Sequence, residues 1–218
     1  MLQEKLVHLQ KKLAEYAALV ERMVDKSISG LLNGDSALLE SVINTEEPAA
    51  NAFEIDLDEM CTTLIAQYQP AARDLRTVLM VLRMNNDLER MGDHAVNIAQ
   101  SAIFLSARPP VKPLEDIPAM SRVAVRMFKD GVDSFINRDA VLARTVCERD
   151  AVVDDFQTKI LTELTAIMQK DPSTIERSLQ LIRITANLER IADLSTNICE
   201  DVLFMVHGRV IKHHKEEQ

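Results

Sequence analysis

The chain has 218 residues, 47% of them hydrophobic, with 5 Gly, 7 Pro, no Trp and a formal charge of −9. That is enough apolar material for a core and too few turn residues for many short strands. The negative charge would repel a phosphate backbone, and no basic cluster offsets it in sequence, so nucleic acid is excluded as a partner.

Leu2-Gln3-Glu4-Lys5 is a charged, periodic start rather than an apolar leader, and nowhere do about 18 apolar residues run together. Cys61, Cys147 and Cys199 are odd in number, far apart and without CxxC spacing, which argues against a disulfide framework and a thiolate zinc site. A soluble, cytoplasmic protein is expected.

Leu2, Leu6, Leu9, Leu13, Tyr16, Val20 and Met23 step by three or four residues and predict a first helix ending near Asn33-Gly34. Asp35 is suited to cap a second helix, with Thr45 re-capping it ahead of Pro48, so this helix should kink before the stripe Phe53, Leu57, Met60, Leu64 and Tyr68. Gln69-Pro70 ends it, Pro70 suits the first turn of the next, and a third helix should run to about Leu105.

Arg108-Pro109-Pro110 and Lys112-Pro113 cannot continue a helix and mark a linker. The plan then repeats: a helix to about Ile136, a break at Asn137-Arg138-Asp139, a long helix to Lys170, Asp171-Pro172 as cap and first turn, and a last helix to about His207-Gly208. The expectation is an elongated all-α protein of two tandem three-helix bundles, residues 1–107 and 108–218.

Duplication is visible in the residues themselves. Leu88-Glu89-Arg90, Asp93 and Asn97-Ile98 recur 100 residues on as Leu188-Glu189-Arg190, Asp193 and Asn197-Ile198, and Arg83 recurs as Arg183. Helix patterning alone would keep Leu and Ile but has no reason to restore Glu, Arg, Asp and Asn.

Glu89 with Asp93, and Glu189 with Asp193, each place two carboxylates on one helix face with Cβ atoms about 5–6 Å apart. They lie opposite the apolar stripe Val81, Met84, Leu88, Met91, Ala95, Ile98 and Leu105, as a solvated face would. Yet Leu79, Leu82 and Phe104 bracket the first pair and Leu179, Ile182 and Phe204 the second, as on a covered face where paired carboxylates need a cation, a basic partner or a shared proton. Both readings stand. Asn97 and Asn197 extend these rows, and Glu47 with Asn51, Glu54 with Asp58, and Asp150 with Asp154 offer like spacings on the preceding helices. Such oxygen donors suit magnesium, manganese, calcium or iron, with zinc also admissible.

Other chemistry has little support. The Glu-x-x-His of carboxylate bundle oxidases is absent, since Gly92 and Ala192 stand where His would, and there is no phosphate loop, nucleophile elbow or HExxH. His94 has no counterpart, since the second copy carries Leu194 there, while His213 and His214 sit in a charged tail. Arg90 and Arg190 are expected to pair with acids on neighbouring helices, and Gly92 to allow close helix approach.

The runs Gln69-Pro70-Ala71-Ala72-Arg73-Asp74-Leu75-Arg76 and Asp87-Leu88-Glu89-Arg90-Met91-Gly92-Asp93-His94-Ala95-Val96-Asn97-Ile98-Ala99 resemble the PhoU family, as do Asn187 through Ile198 and Leu32-Asn33-Gly34-Asp35. The resemblance covers essentially the whole chain. It implies a duplicated three-helix fold, no catalysis, frequent homodimers, and a cytoplasmic role restraining phosphate uptake and the phosphate-starvation response. The implied partners are the ATPase of a phosphate ABC transporter and a sensor histidine kinase, with the membrane reached only through them. It also implies multinuclear iron or zinc clusters on Glu/Asp-x-x-x-Asp motifs, here Glu89 with Asp93, Glu189 with Asp193, and Asp150 with Asp154. Ala192, Leu194 and Asn51 depart from the pattern, so the two sites need not be equivalent. A metal-dependent bundle enzyme and a purely structural helical adaptor are the competing readings.

Overall fold

A computed structural model describes residues 1–207, so Gly208, His213 and His214 lie outside the described residues. Helix α1 spans Leu2–Asn33 and stops at Gly34, whose φ of 63° places it in the left-handed region that glycine enters without a Cβ penalty. Asp35 then caps α2 (Ser36–Ser41) by accepting the Leu38 N–H at 3.0 Å.

The expected kink is present, but its chemistry differs. Thr45 is exposed and caps nothing; Val42–Glu46 instead form a π turn, closed by the Glu47 N–H bonding Val42 O, which leads into α3 (Glu47–Tyr68). The one-residue change of register falls just before Pro48, which has no N–H to give the helix. Gln69 ends α3 in the left-handed region, and α4 (Ala72–Ser106) begins two residues after Pro70, not on it.

After residues 107–115, α5 (Asp116–Asn137) ends at Arg138 (φ 55°). Asp139 caps α6 (Ala140–Lys170) by accepting the N–H groups of Val141 and Leu142. Asp171 caps a short 3₁₀ turn, Pro172–Thr174, that leads into α7 (Ile175–His207). Gly34-Asp35 and Arg138-Asp139 therefore perform the same stop and start 104 residues apart, although only the first half uses glycine.

In the first bundle α1 and α4 run parallel, with α3 antiparallel between them. Ser27 Oγ on α1 donates to Ala95 O on α4, and Lys26 Nζ lies 2.7 Å from Glu46 Oε1. Helices α5, α6 and α7 repeat this, α4 packs on α7, and α1 packs on α5. Leu9, Leu13, Tyr16, Met23, Met84, Leu88 and Met91 of the first bundle and Phe128, Phe135, Ile184, Leu188 and Ile191 of the second belong to one hydrophobic core cluster, all essentially without solvent contact. At 35 residues, α4 is about 50 Å long, which gives the elongated body. No strand occurs among the described residues.

The α4–α7 seam is polar at its edges. Arg83 Nη1 lies 2.8 Å from Asp201 Oδ1, and Arg183 Nη2 donates to Asn97 Oδ1 at 3.0 Å. Asn187 donates its amide to Arg183 O, which orients its carbonyl oxygen toward His94 Nδ1 at 2.8 Å, so that ring nitrogen carries the hydrogen. Burial foremost lowers the His94 pKa and keeps the ring neutral.

Candidate metal centre

The first acid row stands where α4 meets α3. Glu89 is half-buried and Asp93 exposed, and Glu54 of α3 faces Glu89. One turn away, Asn85 Nδ2 fixes the two helices by donating to Glu54 O and Asp58 Oδ1, both at 2.9 Å. Glu47 and Asn51 lie on the same α3 row as Glu54, two turns and one turn toward its N-terminus. Burial foremost, then the charges of Asp93 and Glu54, raise the Glu89 pKa against the smaller opposing pull of Arg90.

The second row is built the same way from α7 and α6. Glu189 is half-buried, and burial, then Asp193, raise its pKa, with Asp154 and Asp150 adding to the effect and Arg190 opposing it. Arg190 Nη1 lies 2.9 Å from Asp193 Oδ2 and its Nε 3.7 Å from Glu189 Oε2; Arg90 reaches Asp87 at 3.9 Å. Both arginines thus pair on their own helices, not across to a neighbour as the sequence suggested. A neighbour three residues away is reached without ordering a second helix around a long side chain.

The charges of Asp93 and Glu54 act on Glu89, and those of Asp193, Asp154 and Asp150 on Glu189. Asn97 accepts a hydrogen bond from Arg183 at the seam, and Asn197 is exposed on α7, one turn beyond Asp193. Gly92 is not needed for close approach, because a Cβ there would meet only Met23 Cε at 3.8 Å.

Tyr16 was hidden in the sequence because its ring reads as one more member of the α1 core stripe. It is fully buried, stacks on Phe53 at 5.6 Å between centroids, and has a hydroxyl with no hydrogen-bond partner. Burial, followed by the charges of Glu54, Glu89 and Asp93, raises its pKa well above the ordinary phenol range.

Both rows are crowded oxygen-donor sets whose mutual repulsion a hard cation would relieve. In donor chemistry they suit such an ion, and the Tyr16 hydroxyl is a further buried oxygen without a hydrogen-bond partner. As they stand, no three His, Cys, Asp or Glu side chains among the described residues converge on one point.

A duplicated three-helix bundle with an acid-rich helix row in each copy defines a class of all-helical repeat protein. The PhoU domain matches twice, over residues 13–102 and 117–202. The chain is 36% identical over 210 residues to the "Phosphate-specific transport system accessory protein PhoU homolog" of Aquifex aeolicus, covering 96% of this chain and 95% of that protein. It is 32% identical over 217 residues to PhoU homolog 2 of Thermotoga maritima, covering 100% and 92%. The crystal structure of PhoU from Pseudomonas aeruginosa superposes with a TM-score of 0.91 at 32% identity, over 96% of this chain and 100% of that one. The phosphate transport system regulatory protein PhoU of Streptococcus pneumoniae gives 0.90 at 26% identity, over 98% and 100%. This chain belongs to the PhoU family.

Proposed function

We propose that the protein is a non-enzymatic regulator of phosphate homeostasis that restrains phosphate uptake and the phosphate-starvation two-component response. It does so by binding the ATPase of the phosphate ABC transporter and the phosphate sensor histidine kinase. The observation that carries this reading is the full-length match to proteins named as accessory to the phosphate-specific transport system. No helix among the described residues is long and apolar enough to cross a membrane. In this reading the protein is a cytoplasmic homodimer that reaches the membrane through its partners.

On this reading the acid rows hold metal, iron or zinc first and magnesium or manganese otherwise, with Glu89, Asp93 and Glu54 in one half and Glu189, Asp193, Asp150 and Asp154 in the other. Their shared support is that burial foremost, and then neighbouring carboxylates, raise both Glu89 and Glu189. Glu47 and Asn51 lie one to two turns farther along α3, where they serve a cluster of more than one ion.

Deleting the gene is expected to derepress a phosphate-starvation reporter in high phosphate, and a reporter unchanged by deletion refutes the regulatory role. Metal content of untagged protein purified without chelator is expected to be stoichiometric. In the Glu89→Ala, Asp93→Ala, Glu189→Ala, Asp193→Ala variant it should be lost while helicity is retained. A metal-free wild type that regains none on addition leaves the adaptor role to surface recognition.

A further inference from the structure

The two bundles repeat one plan but differ where the first helix of each is tied to the next long one. Arg126 and Asp130 on α5 match Arg22 and Lys26 on α1, 104 residues apart. Arg149 and Phe156 on α6 match Glu46 and Phe53, 103 apart, because the first half carries one extra residue at its π turn. In the first bundle the tie is Lys26 with Glu46. In the second the charges are exchanged, with the carboxylate, Asp130, on α5 and the cation, Arg149, on α6.

That exchange gathers arginines. Asp130 is only 4% exposed and holds two of them from beneath. Arg126 Nε lies 2.9 Å from Asp130 Oδ1 and 3.0 Å from Oδ2, and Arg149 Nη1 donates to Oδ2. Arg126 keeps both Nη groups, and Arg149 its Nε and Nη2, for another acceptor. Arg122, one turn before Arg126, is exposed and has no hydrogen-bond or ion-pair partner among the described residues. All three line an open groove of about 450 Å³ between α5 and α6, together with Ala119, Val123 and Phe156. Three guanidiniums against one buried carboxylate leave positive charge in excess, in a chain whose formal charge is −9. A buried carboxylate that fixes two guanidiniums also preorganises them, so less freedom is lost when an anion binds.

Phe156 sets the kind of anion. Its counterpart Phe53 is stacked on Tyr16 and has Lys12 Nζ 4.6 Å from its centroid. At Phe156 the matching places hold Met120, which has no ring, and Asp116, which pairs with Lys159 and Lys112. The half-buried Phe156 ring therefore borders the groove with neither an aromatic ring nor a cation against it among the described residues. An aromatic base can take that ring while the guanidiniums take phosphoryl oxygens. The groove has the volume of a site for a small organic ligand, and Arg122 and Arg126 stand about 6 Å apart along α5, enough to span more than one phosphoryl group.

We propose that the α5–α6 groove is a binding site for a nucleoside polyphosphate, with its phosphates on Arg122, Arg126 and Arg149 and its base against Phe156. The site goes beyond the regulatory reading and does not depend on metal in the acid rows. The first bundle has no such site, because Ala18 and Glu46 stand in place of Arg122 and Arg149.

Full-length protein is tested by equilibrium dialysis with ATP in EDTA, which keeps metal out of the measurement. Wild type is expected to bind ATP saturably, one per chain. Arg122→Gln, which breaks no native contact, should weaken ATP at least about tenfold, whereas Arg22→Gln in the first bundle should leave it unchanged. Phe156→Leu should weaken ATP and leave the binding of tripolyphosphate as in wild type, which also shows that the arginines are still in place. Circular dichroism confirms that each variant is folded. A wild type that binds no ATP saturably, or binding that Arg122→Gln leaves unchanged, overturns the proposal. Tripolyphosphate bound by wild type as tightly as ATP overturns the assignment to a nucleotide. A protein that ignores ATP yet binds poly-L-glutamate through Arg122 has a docking face for an acidic protein segment there, which overturns it as well.

Discussion

Asp87 and Asn187 occupy equivalent places on α4 and α7, but only Asn187 has an imidazole to bond, because the counterpart of His94 is Leu194. Burial foremost raises Asp87 from 3.8 to about 6; Arg90 and Arg83 pull it down and Asp201 pushes it up. Below the ordinary carboxyl range both folded and unfolded chains hold this proton, and the group does not affect stability. As pH rises through the interval from 3.8 to about 6, the unfolded chain ionises first while the native state keeps its proton, so stability falls. Above that interval the penalty is complete, at most about 3 kcal/mol. Asp87→Asn copies the residue of the second half and removes the titration. It is expected to stabilise the protein by about 1–3 kcal/mol near neutral pH, with the gain fading by about pH 4. Urea unfolding at both pH values checks this, and an equal gain at the two would show that the proton is not the cause.

At the scale of elements, the corner between α1 and α2 depends on a large–small exchange. A Cβ built on Gly30 would lie 2.5 Å from Leu39 Cδ2, 2.6 Å from its Cγ and 3.3 Å from Asp35 O, and Leu39 is fully buried. In the second half the corresponding positions carry Ser134 and Ala143, the larger residue on the first helix and the smaller on the next. Gly30→Ala should therefore lose about 1–3 kcal/mol to overpacking, more than the roughly 1 kcal/mol that Ala gains over Gly inside a helix. Combined with Leu39→Ala the clash disappears, so the double variant should be more stable than the sum of the two single losses; thermal unfolding of all four proteins checks that coupling, and strict additivity would contradict it. The helix stops were legible because they rest on local chemistry: Gly34, Gln69-Pro70, Asp139 and Asp171 each act within a few residues of themselves. The π turn was not, since Thr45 and Pro48 satisfy the local rule for a fresh cap, and how the chain returns along α1 is decided by packing. The rows holding Glu89 and Glu189 followed from helical period. Their facing partners depend on how α3 and α6 are rotated about their axes, which spacing along one helix does not record, so the influence of Glu54 on Glu89 appears only in the fold. Tyr16 stayed hidden because periodicity records an apolar ring and says nothing of where its oxygen ends.

Over the whole molecule, the two bundles are joined by more than the chain between them. That connection is itself pinned: the Arg108 guanidinium lies 3.5 Å over the Phe104 ring, Arg177 Nη1 donates to Pro109 O at 2.8 Å, and Lys112 pairs with Glu163. Beyond it, α1 packs on α5 and α4 on α7, with Arg83–Asp201, Arg183–Asn97 and His94–Asn187 crossing the second contact. Such a seam couples the bundles, so the protein should unfold in one cooperative transition although its sequence is two copies of one plan. Cutting the chain at a protease site inserted after Val111 tests this, because it removes connectivity and leaves every seam contact in place. The fragments are expected to stay together on gel filtration and to unfold together. Adding His94→Ala and Arg183→Ala, which strip polar contacts from the seam without touching either core, should then let them separate. If the cut fragments part without these changes and each melts by itself, the bundles are autonomous domains on a tether. A change at one acid row would then have no rigid path to the other.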